Sequence, residues 1–319
     1  MMLSRQILAP HLGGFNIIGC AVRNKDIVYF LAREDYQQAE RFQGQADAPD
    51  ELDLEKRAVS YFRDETPAKA FGHTALHDFD LLWCAISLAP KEQFVCLTLD
   101  GLPFAIGSGD AGIEDELAAR GALTRIRLVG EHAYAVGTRR VVYRRDGKNQ
   151  WHNFSNAIPL AKRDEALGFH DIAGFSAQDI YAVGGAGDVW QFDGSRWRQC
   201  AFPSNRLLST VCCGDDGQVY ISGQLGSTYM GRNDSWKQIN DETLSLPFKD
   251  MVWFQDRVWC TSDYGLWWIK DGQLSEADVS AEIKVCAGYL SARDGVLLLA
   301  GYGGAAVLDA QGWRVLFHA

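Results

Sequence analysis

Residues 179–197 read DIYAVGGAGDVWQFDGSRW: a hydrophobic run, a glycine-rich turn, a second run, an Asp-Gly turn and a tryptophan. The same rhythm recurs along the chain, in segments that begin at Tyr134, Tyr181, Tyr220, Val258 and Leu298. These starts lie 47, 39, 38 and 40 residues apart, and in four of the five a tryptophan follows 15 to 17 residues later. A fixed period near 40 residues indicates a repeat architecture.

A second motif precedes these repeats and also occurs nearer the N-terminus. It is a heptapeptide with a large apolar residue first, nearly always a polar residue second, and Ile, Leu, Met, Val or Cys fourth. We predict that a strand starts at each of its seven copies, which are FNIIGCA from Phe15, FDLLWCA from Phe79, LTRIRLV from Leu123, FHDIAGF from Phe169, LSTVCCG from Leu208, FKDMVWF from Phe248 and IKVCAGY from Ile283.

Each repeat therefore predicts four strands, since its runs are rich in Val, Ile, Tyr, Phe and Trp while Gly, Asp and Asn supply the turns. Four-stranded units of 40–45 residues are typical of β-propeller blades. The fold class is accordingly all-β, a seven-bladed β-propeller of four-stranded antiparallel blades; six or eight blades are the alternatives. We expect a single domain over residues 1–319, closed by residues 2–9 pairing near residues 313–317.

Residues 123–317 resemble the propeller superfamily that includes WD-repeat and bacterial-neuraminidase-repeat proteins. Their YAVG…G…DG…W rhythm is also similar to that of the propeller assembly factors of photosystem II. The WD repeat itself is a poor match, because no blade ends in Trp-Asp and no Gly-His pair opens one. The Asp-box of sialidases is reduced to DGSRW and NDSW.

Charge and composition limit the classes of partner. The chain has 31 basic and 41 acidic residues, a net charge of −10, which argues against nucleic acid and anionic membranes and leaves a basic protein or plain solubility. No segment is long and apolar enough for a membrane span. The stretch IIGC at 17–20 has the form of a lipoprotein cleavage site, but no apolar run precedes it, so we expect a cytoplasmic protein.

No catalytic or metal-binding motif is apparent. The eight cysteines contain no CxxC pair, and we predict that all are free and buried. His73 and His77 are four residues apart but lead into a strand, without a carboxylate at ligand spacing. No HExxH, GxSxG, P-loop or dinucleotide motif occurs. We therefore predict a protein that is not an enzyme and has no cofactor and no metal.

Two sets of residues are candidates for binding a partner. The first comprises polar residues at the second and third heptapeptide positions, which would surround one mouth of a central channel: Asp80, Arg125, His170, Asp171, Lys249, Asp250 and Lys284. The alternative is that these side chains close strand ends and form salt bridges between blades.

The second set lies in an insertion in the first blade, at about residues 34–65. The first two heptapeptides are 64 residues apart, whereas the later spacings are 35 to 46. The segment has ten acidic and four basic residues, which gives it −6 of the net charge, and residues 47–55 hold five acids and no base: Asp47, Asp50, Glu51, Asp53 and Glu55. Long loops on a repetitive scaffold often carry function. The alternative is a solvated loop.

In overall style the chain resembles the propeller-type immunity proteins that bacteria encode beside secreted polymorphic toxins. That resemblance implies a protein-binding module that occludes a cognate toxin, and the acidic surface suits a basic toxin such as a nuclease. An assembly or scaffolding factor is one alternative. A glycan hydrolase or lyase with its site at the channel mouth is another.

Overall fold

Seven four-stranded antiparallel sheets, each made of consecutive strands, form the blades of a β-propeller. The structure is a computed structural model that describes residues 3–45, 47–155, 158–162, 167–239 and 244–319. Numbering the strands β1 to β28 along the chain, the blades are as follows: blade 1, Phe15–Val22, Ile27–Glu34, Lys56–Phe62 and Phe71–Leu76; blade 2, Leu82–Ser87, Gln93–Thr98, Pro103–Gly107 and Asp110–Ile113; blade 3, Leu123–Val129, His132–Gly137, Val141–Gly147 and Gln150–Asn153; blade 4, Phe169–Ser176, Asp179–Gly184, Val189–Phe192 and Trp197–Gln199; blade 5, Leu208–Cys213, Val219–Gly223, Thr228–Arg232 and Ser235–Gln238; blade 6, Asp250–Phe254, Arg257–Ser262, Gly265–Lys270 and Gln273–Glu276; blade 7, Tyr289–Arg293, Val296–Gly301, Gly304–Asp309 and Gly312–His318.

The heptapeptides place the first strands well in six blades. Strands β1, β9, β13 and β17 begin at the predicted residue, and β5 and β21 begin two or three residues later. The seventh prediction is wrong, because Ile283 and Lys284 lie in a short helix, α2 (Ala281–Lys284). The carbonyl of Ser280 accepts the amides of both residues, and the good helix formers of AEIK favour that turn over a strand. Blade 7 therefore begins at Tyr289.

In blades 3, 4, 5 and 7 the YAVG-type strand ends in a glycine, because a side chain would not fit at this position. The chain entering the first strand of the same blade passes directly beside it. A Cβ on Gly184 would collide with the carbonyl oxygen of Gly168, and one on Gly137 would meet that of Ala122 in the same way. The close approach lets the amide of Gly185 donate to Gly168 at 3.1 Å. In these four blades the glycine thus allows the incoming chain to pass directly beside the end of the second strand.

The chain packs as two compact units. The first comprises residues 1–83, 263–265 and 278–319, and its core joins blades 1 and 7 through side chains such as Phe30, Val59, Leu298 and Phe317. The second comprises residues 84–262 and 266–277. In it β9 packs on β13, β13 on β17, and β17 on β21. That a single domain spans 1–319 stays a prediction.

Buried ion pairs connect neighbouring blades. Arg140 in the β10–β11 turn donates to both carboxylate oxygens of Asp188, at 2.6 and 3.1 Å, and the indole of Trp190 donates to the same group at 2.9 Å. Arg145 of β11 is fully buried against Glu114, and Gln93 accepts a further bond from it at 2.9 Å. These contacts satisfy charges that would be costly to bury alone.

The N-terminal segment lies beside the last strand, but it is helical. The amide of Leu3 donates to the carbonyl of Leu316 at 2.8 Å, as the expected pairing requires. Residues Arg5–Leu12 form helix α1 instead of a strand. Residue 2 of the predicted pairing lies outside the described residues. In the part of the chain that the structure describes, no helix is long and apolar enough to cross a membrane.

Helix α1 is held against β4 by a pair of histidines. The Nδ1 atoms of His11 and His73 are 2.8 Å apart, and the His11 ring stacks on Phe71. Arg57 donates to the carbonyl of His11 at 3.0 Å. Burial lowers the pKa of His11, and His73 and Arg57 lower it further; burial and Arg57 also lower the pKa of His73. The close contact therefore requires that the two rings are not both protonated.

All eight cysteines are free, as predicted. Six are buried, and Cys84 and Cys213 are half-buried. Burial raises the pKa of Cys84 to about 12 and that of Cys200 to about 11. These thiols are inert packing groups at neutral pH.

Thiol titration tests this assignment. The native protein should react slowly with Ellman's reagent near pH 8, because burial keeps the thiols protonated. The denatured, unreduced protein should yield eight thiols. A count of six or fewer after denaturation would show that disulfides form.

Acidification should loosen α1. Since the pKa values of His11 and His73 are lowered when the helix is docked, the undocked state binds protons more readily, and docking weakens as pH falls below the ordinary histidine value of about 6.5. Hydrogen exchange at the Gly13 amide, which bonds to Ala9, should accelerate between about pH 7.5 and 5.5 beyond its intrinsic change. His73→Asn should reduce this pH dependence and leave the part that comes from burial of His11, whereas His152→Asn, at an exposed ring, should leave it intact.

Candidate functional site

A buried ion cluster joins the first strands of blades 3, 4 and 6 in the second unit. Arg127 of β9 donates to both oxygens of Asp171 at 2.9 Å and to Asp250 at 2.6 Å. Asp171 also accepts the Thr210 hydroxyl at 2.7 Å and the Val211 amide at 3.2 Å, which brings in blade 5. Four blades thus meet at one guanidinium.

The electrostatics of this cluster favour the charged forms. Burial alone would raise the pKa of Asp171, but Arg127 and Arg125 lower it below its usual value. Burial would likewise lower the pKa of Arg127, while Asp171 and Asp250 raise it well above normal. Arg127 and Asp171 therefore form a charged pair, and Asp250 is the second carboxylate that accepts from the same guanidinium.

This burial corrects the expectation that Asp171 and Asp250 face a partner. Asp171 is fully buried and Asp250 nearly so, and both are engaged by internal donors. The alternative interpretation, salt bridges between blades, describes these two residues.

Three other members of the same set are half-buried around the cluster. Arg125 donates to the Lys249 carbonyl at 3.2 Å and lies 3.7 Å from Asp171. Burial lowers the pKa of His170, and Arg125 lowers it further, so the ring is neutral at pH 7. Arg125, His170 and Lys249 are therefore the members of this set in the second unit that a partner could contact.

The remaining two members belong to the first unit. Asp80 lies between β4 and β5, where its carboxylate accepts the Leu81 amide at 2.6 Å. Lys284 lies in α2 and is half-buried.

An open pocket of about 590 Å³ lies beside His170 in the second unit. Thr138, Gly168 and Phe169 line it together with Arg139. The Arg139 guanidinium already donates to the carbonyls of Ala161 and Arg120, at 3.0 and 2.9 Å. The pocket thus combines a neutral imidazole and apolar side chains with the charged residues Asp100 and Arg120.

The acidic insertion connects β2 to β3 of blade 1, and its five central acids divide into two groups. Asp47, Asp50 and Asp53 are exposed. Glu51 is half-buried and pairs with Arg33 at 2.5 Å and with Lys56 at 3.5 Å, while Glu55 pairs with Arg57 at 2.6 Å. The two glutamates therefore hold the insertion in place, and the three aspartates carry its exposed charge.

Lys56 is the anchor of this segment. Its side chain is fully buried, and its ammonium donates to the carbonyls of Glu51 and of Phe79, the latter at 2.6 Å. Burial lowers its pKa, and Glu51 opposes that shift. Neutralising Glu51 would leave this ammonium with carbonyl partners and a distant aspartate, so Glu51 has a structural role.

Sequence reasoning missed Arg127 and Lys56. Arg127 occupies the fifth heptapeptide position, which holds small or apolar residues in the other strand-forming copies. A charged residue at this position is the sequence signal that could have identified it. Arg125 and Arg127 are also two residues apart and lie on one face of the strand. Lys56 sits in an ordinary charged run, and nothing in the sequence marks it as buried.

Known structures confirm the fold class. The assembly YCF48 bound to D1 peptide has a TM-score of 0.62 at 11% identity, over 92% of this chain and 91% of that chain. The WD40 β-propeller domain of Doa1 has a TM-score of 0.61 at 7% identity, over 92% of both chains. At these identities the similarity shows the fold alone: the protein is a β-propeller.

No protein-family model matches the chain. One curated relative does: the immune protein Tsi7 of Pseudomonas aeruginosa is 37% identical over 215 residues, 65% of this chain and 70% of that protein. At this identity and coverage, the chain belongs to the Tsi7 family.

Removing Arg127 should destabilise the protein strongly. Arg127→Met removes the guanidinium that donates to the buried carboxylates of Asp171 and Asp250, so the free energy of unfolding should fall by about 3–5 kcal/mol in urea titrations. Adding Asp171→Asn and Asp250→Asn should restore part of the loss. Arg196→Met, at an exposed pair with Asp193, is the control and should change stability by less than about 1 kcal/mol. A small effect of Arg127→Met would mean that the cluster contributes no net stability.

Proposed function

We propose that this protein is an immunity protein that binds a cognate secreted toxin and occludes its active site. The observation that carries the proposal is its membership in the family of a protein named as an immune protein. The propeller supports it by supplying a rigid scaffold with a long loop on one blade. In this proposal the protein acts in the cytoplasm, by binding alone and without a cofactor.

The partner's charge follows from the exposed acids. Asp47, Asp50 and Asp53 lie close together in sequence on a connection that the Glu51 and Glu55 ion pairs hold in place. A fixed negative patch accelerates encounter with a basic protein and rejects acidic ones. We propose these three aspartates as direct contacts, with Arg125, His170 and Lys249 as the second candidate contact region.

A protection assay tests the function. The toxin domain encoded beside this gene would be expressed in a bacterial host with and without this protein. Growth should be restored only when the two are produced together, and the purified pair should co-elute on gel filtration. Toxicity that persists despite folded, abundant protein would overturn the proposal.

Charge neutralisation tests the patch. Asp47→Asn/Asp50→Asn/Asp53→Asn should slow association with that toxin domain roughly tenfold at low salt, and the deficit should shrink as salt rises. Its melting temperature should stay close to that of the wild type, because exposed charges contribute little to folding.

The matched control removes the same charge elsewhere. Glu131, Asp215 and Asp271 are exposed in hairpin turns of blades 3, 5 and 6. The corresponding Gln/Asn/Asn variant should associate at nearly the wild-type rate. Equal slowing by both variants would assign the effect to net charge rather than to the insertion.

A further inference from the structure

The two ends of the blades differ in their exposed side chains. The entry end of a blade is defined here as the end at which the chain enters the first strand. The connection from the second to the third strand and the exit from the fourth strand lie at the same end. Among the residues that the structure describes, the ten exposed large hydrophobic ones all lie at entry ends: Tyr36, Leu52, Leu81, Ile113, Leu160, Leu225, Leu246, Tyr264, Val285 and Tyr302. Contiguous exposed apolar side chains mark interaction surfaces.

The hairpin turns at the opposite ends are polar. They read, for example, RNKD at 23–26, DGSR at 193–196 and GDDGQ at 214–218. Among the described residues, none of these turns exposes a large hydrophobic side chain. The entry ends are therefore the sides suited to contact with another protein.

A groove of about 360 Å³ lies at the entry ends of blades 1 and 7, within the first unit. Leu8 of α1, Ile17 of β1 and Phe317 of β28 are buried in its wall. Leu12 and Phe15 are partly buried beside them. Tyr302, in the β26–β27 turn, is 53% exposed at the groove. We call this site the α1 groove.

The acidic insertion forms part of the same site. Its first residue after β2, Asp35, donates its amide to the carbonyl of Gly14 at 2.9 Å, next to Phe15. Gln38 lines the groove and donates to the Asp35 carboxylate at 2.7 Å. The groove, whose buried wall is apolar and which Arg5, Asn16 and His318 also line, thus continues directly into a segment of charge −6.

We propose that the α1 groove receives an apolar side chain from a basic segment of the partner, an inference that rests on the proposed function. The lining selects an aliphatic or aromatic residue, and the adjoining acids select basic residues beside it. Such a buried anchor within a charged rim is the usual anatomy of a binding hot spot. The groove is preformed, because Arg57 ties Glu55, the α1 carbonyls and the Phe15 ring together.

Two substitutions test the groove with the toxin domain that the protection assay uses. Tyr302→Ser removes an exposed side chain of the wall, and Ala9→Trp places a large side chain where exposed Ala9 lines the groove. Each should weaken binding at least tenfold, mainly through faster dissociation, whereas the aspartate variant mainly slows association. Calorimetry gives the affinity, and biolayer interferometry separates the rates.

The matched control is Leu225→Ser, which removes an apolar side chain of similar exposure at the entry end of blade 5 in the second unit. It should bind like the wild type, and all variants should melt near the wild-type temperature. If Ala9→Trp fails to fold, Tyr302→Ser alone decides, since its side chain is half exposed.

Three outcomes would overturn the inference. Wild-type-like affinity of Tyr302→Ser, in a protein that still protects cells, would exclude the groove and leave the immunity function standing. Equal weakening of binding by Leu225→Ser would show that the α1 groove is not the specific site at which the partner's apolar side chain binds. A wild-type dimer by light scattering that Ala9→Trp dissociates would make the occupant a second copy of this chain. Failure of the wild type to bind or protect would instead refute the proposed function, and the inference with it.

Discussion

The guanidinium of Arg127 is the interaction on which the second unit depends. Asp171 is the third residue of the first strand of blade 4, Asp250 begins the first strand of blade 6, and both carboxylates are buried. Isolated buried carboxylates would cost several kcal/mol each, so this packing requires a cation that reaches both. Arginine suits this role, because its planar fork binds Asp171 with two bonds and still donates to Asp250. Thr210 then fixes blade 5 to the same carboxylate.

The repeat could be predicted from sequence because its determinants are local. Strand runs and turns recur about every 40 residues, and in four blades a glycine admits the incoming chain. The seven blades are accordingly all four-stranded. The failures have tertiary causes. Ile283 fits the heptapeptide but lies in the short helix α2, and α1 occupies a place expected for a strand. Arg127 pairs with residues 44 and 123 positions away in the sequence, and Lys56 with residues 5 and 23 positions away. The period of the repeat does not encode these pairings.

The candidate binding residues were likewise predictable from the sequence only in part. Composition alone identified the acidic insertion, but it could not separate the exposed Asp47, Asp50 and Asp53 from the structural Glu51 and Glu55. Position in the heptapeptide likewise grouped buried Asp171 with half-buried His170, although adjacent residues of a strand face opposite sides. Burial is what distinguishes a charge that holds the fold from one that is available to a partner.

Glu55 shows why this distinction governs any test of binding. Its carboxylate orients Arg57, which donates to the last carbonyls of α1 and lies over the Phe15 ring at 3.8 Å. Neutralising Glu55 would therefore loosen a wall of the α1 groove as well as remove a charge. A binding defect in such a variant would combine two causes. Variants of the three exposed aspartates and of Tyr302 separate the two causes. Loss of charge at the aspartates lowers the association rate, whereas loss of apolar area at Tyr302 raises the dissociation rate.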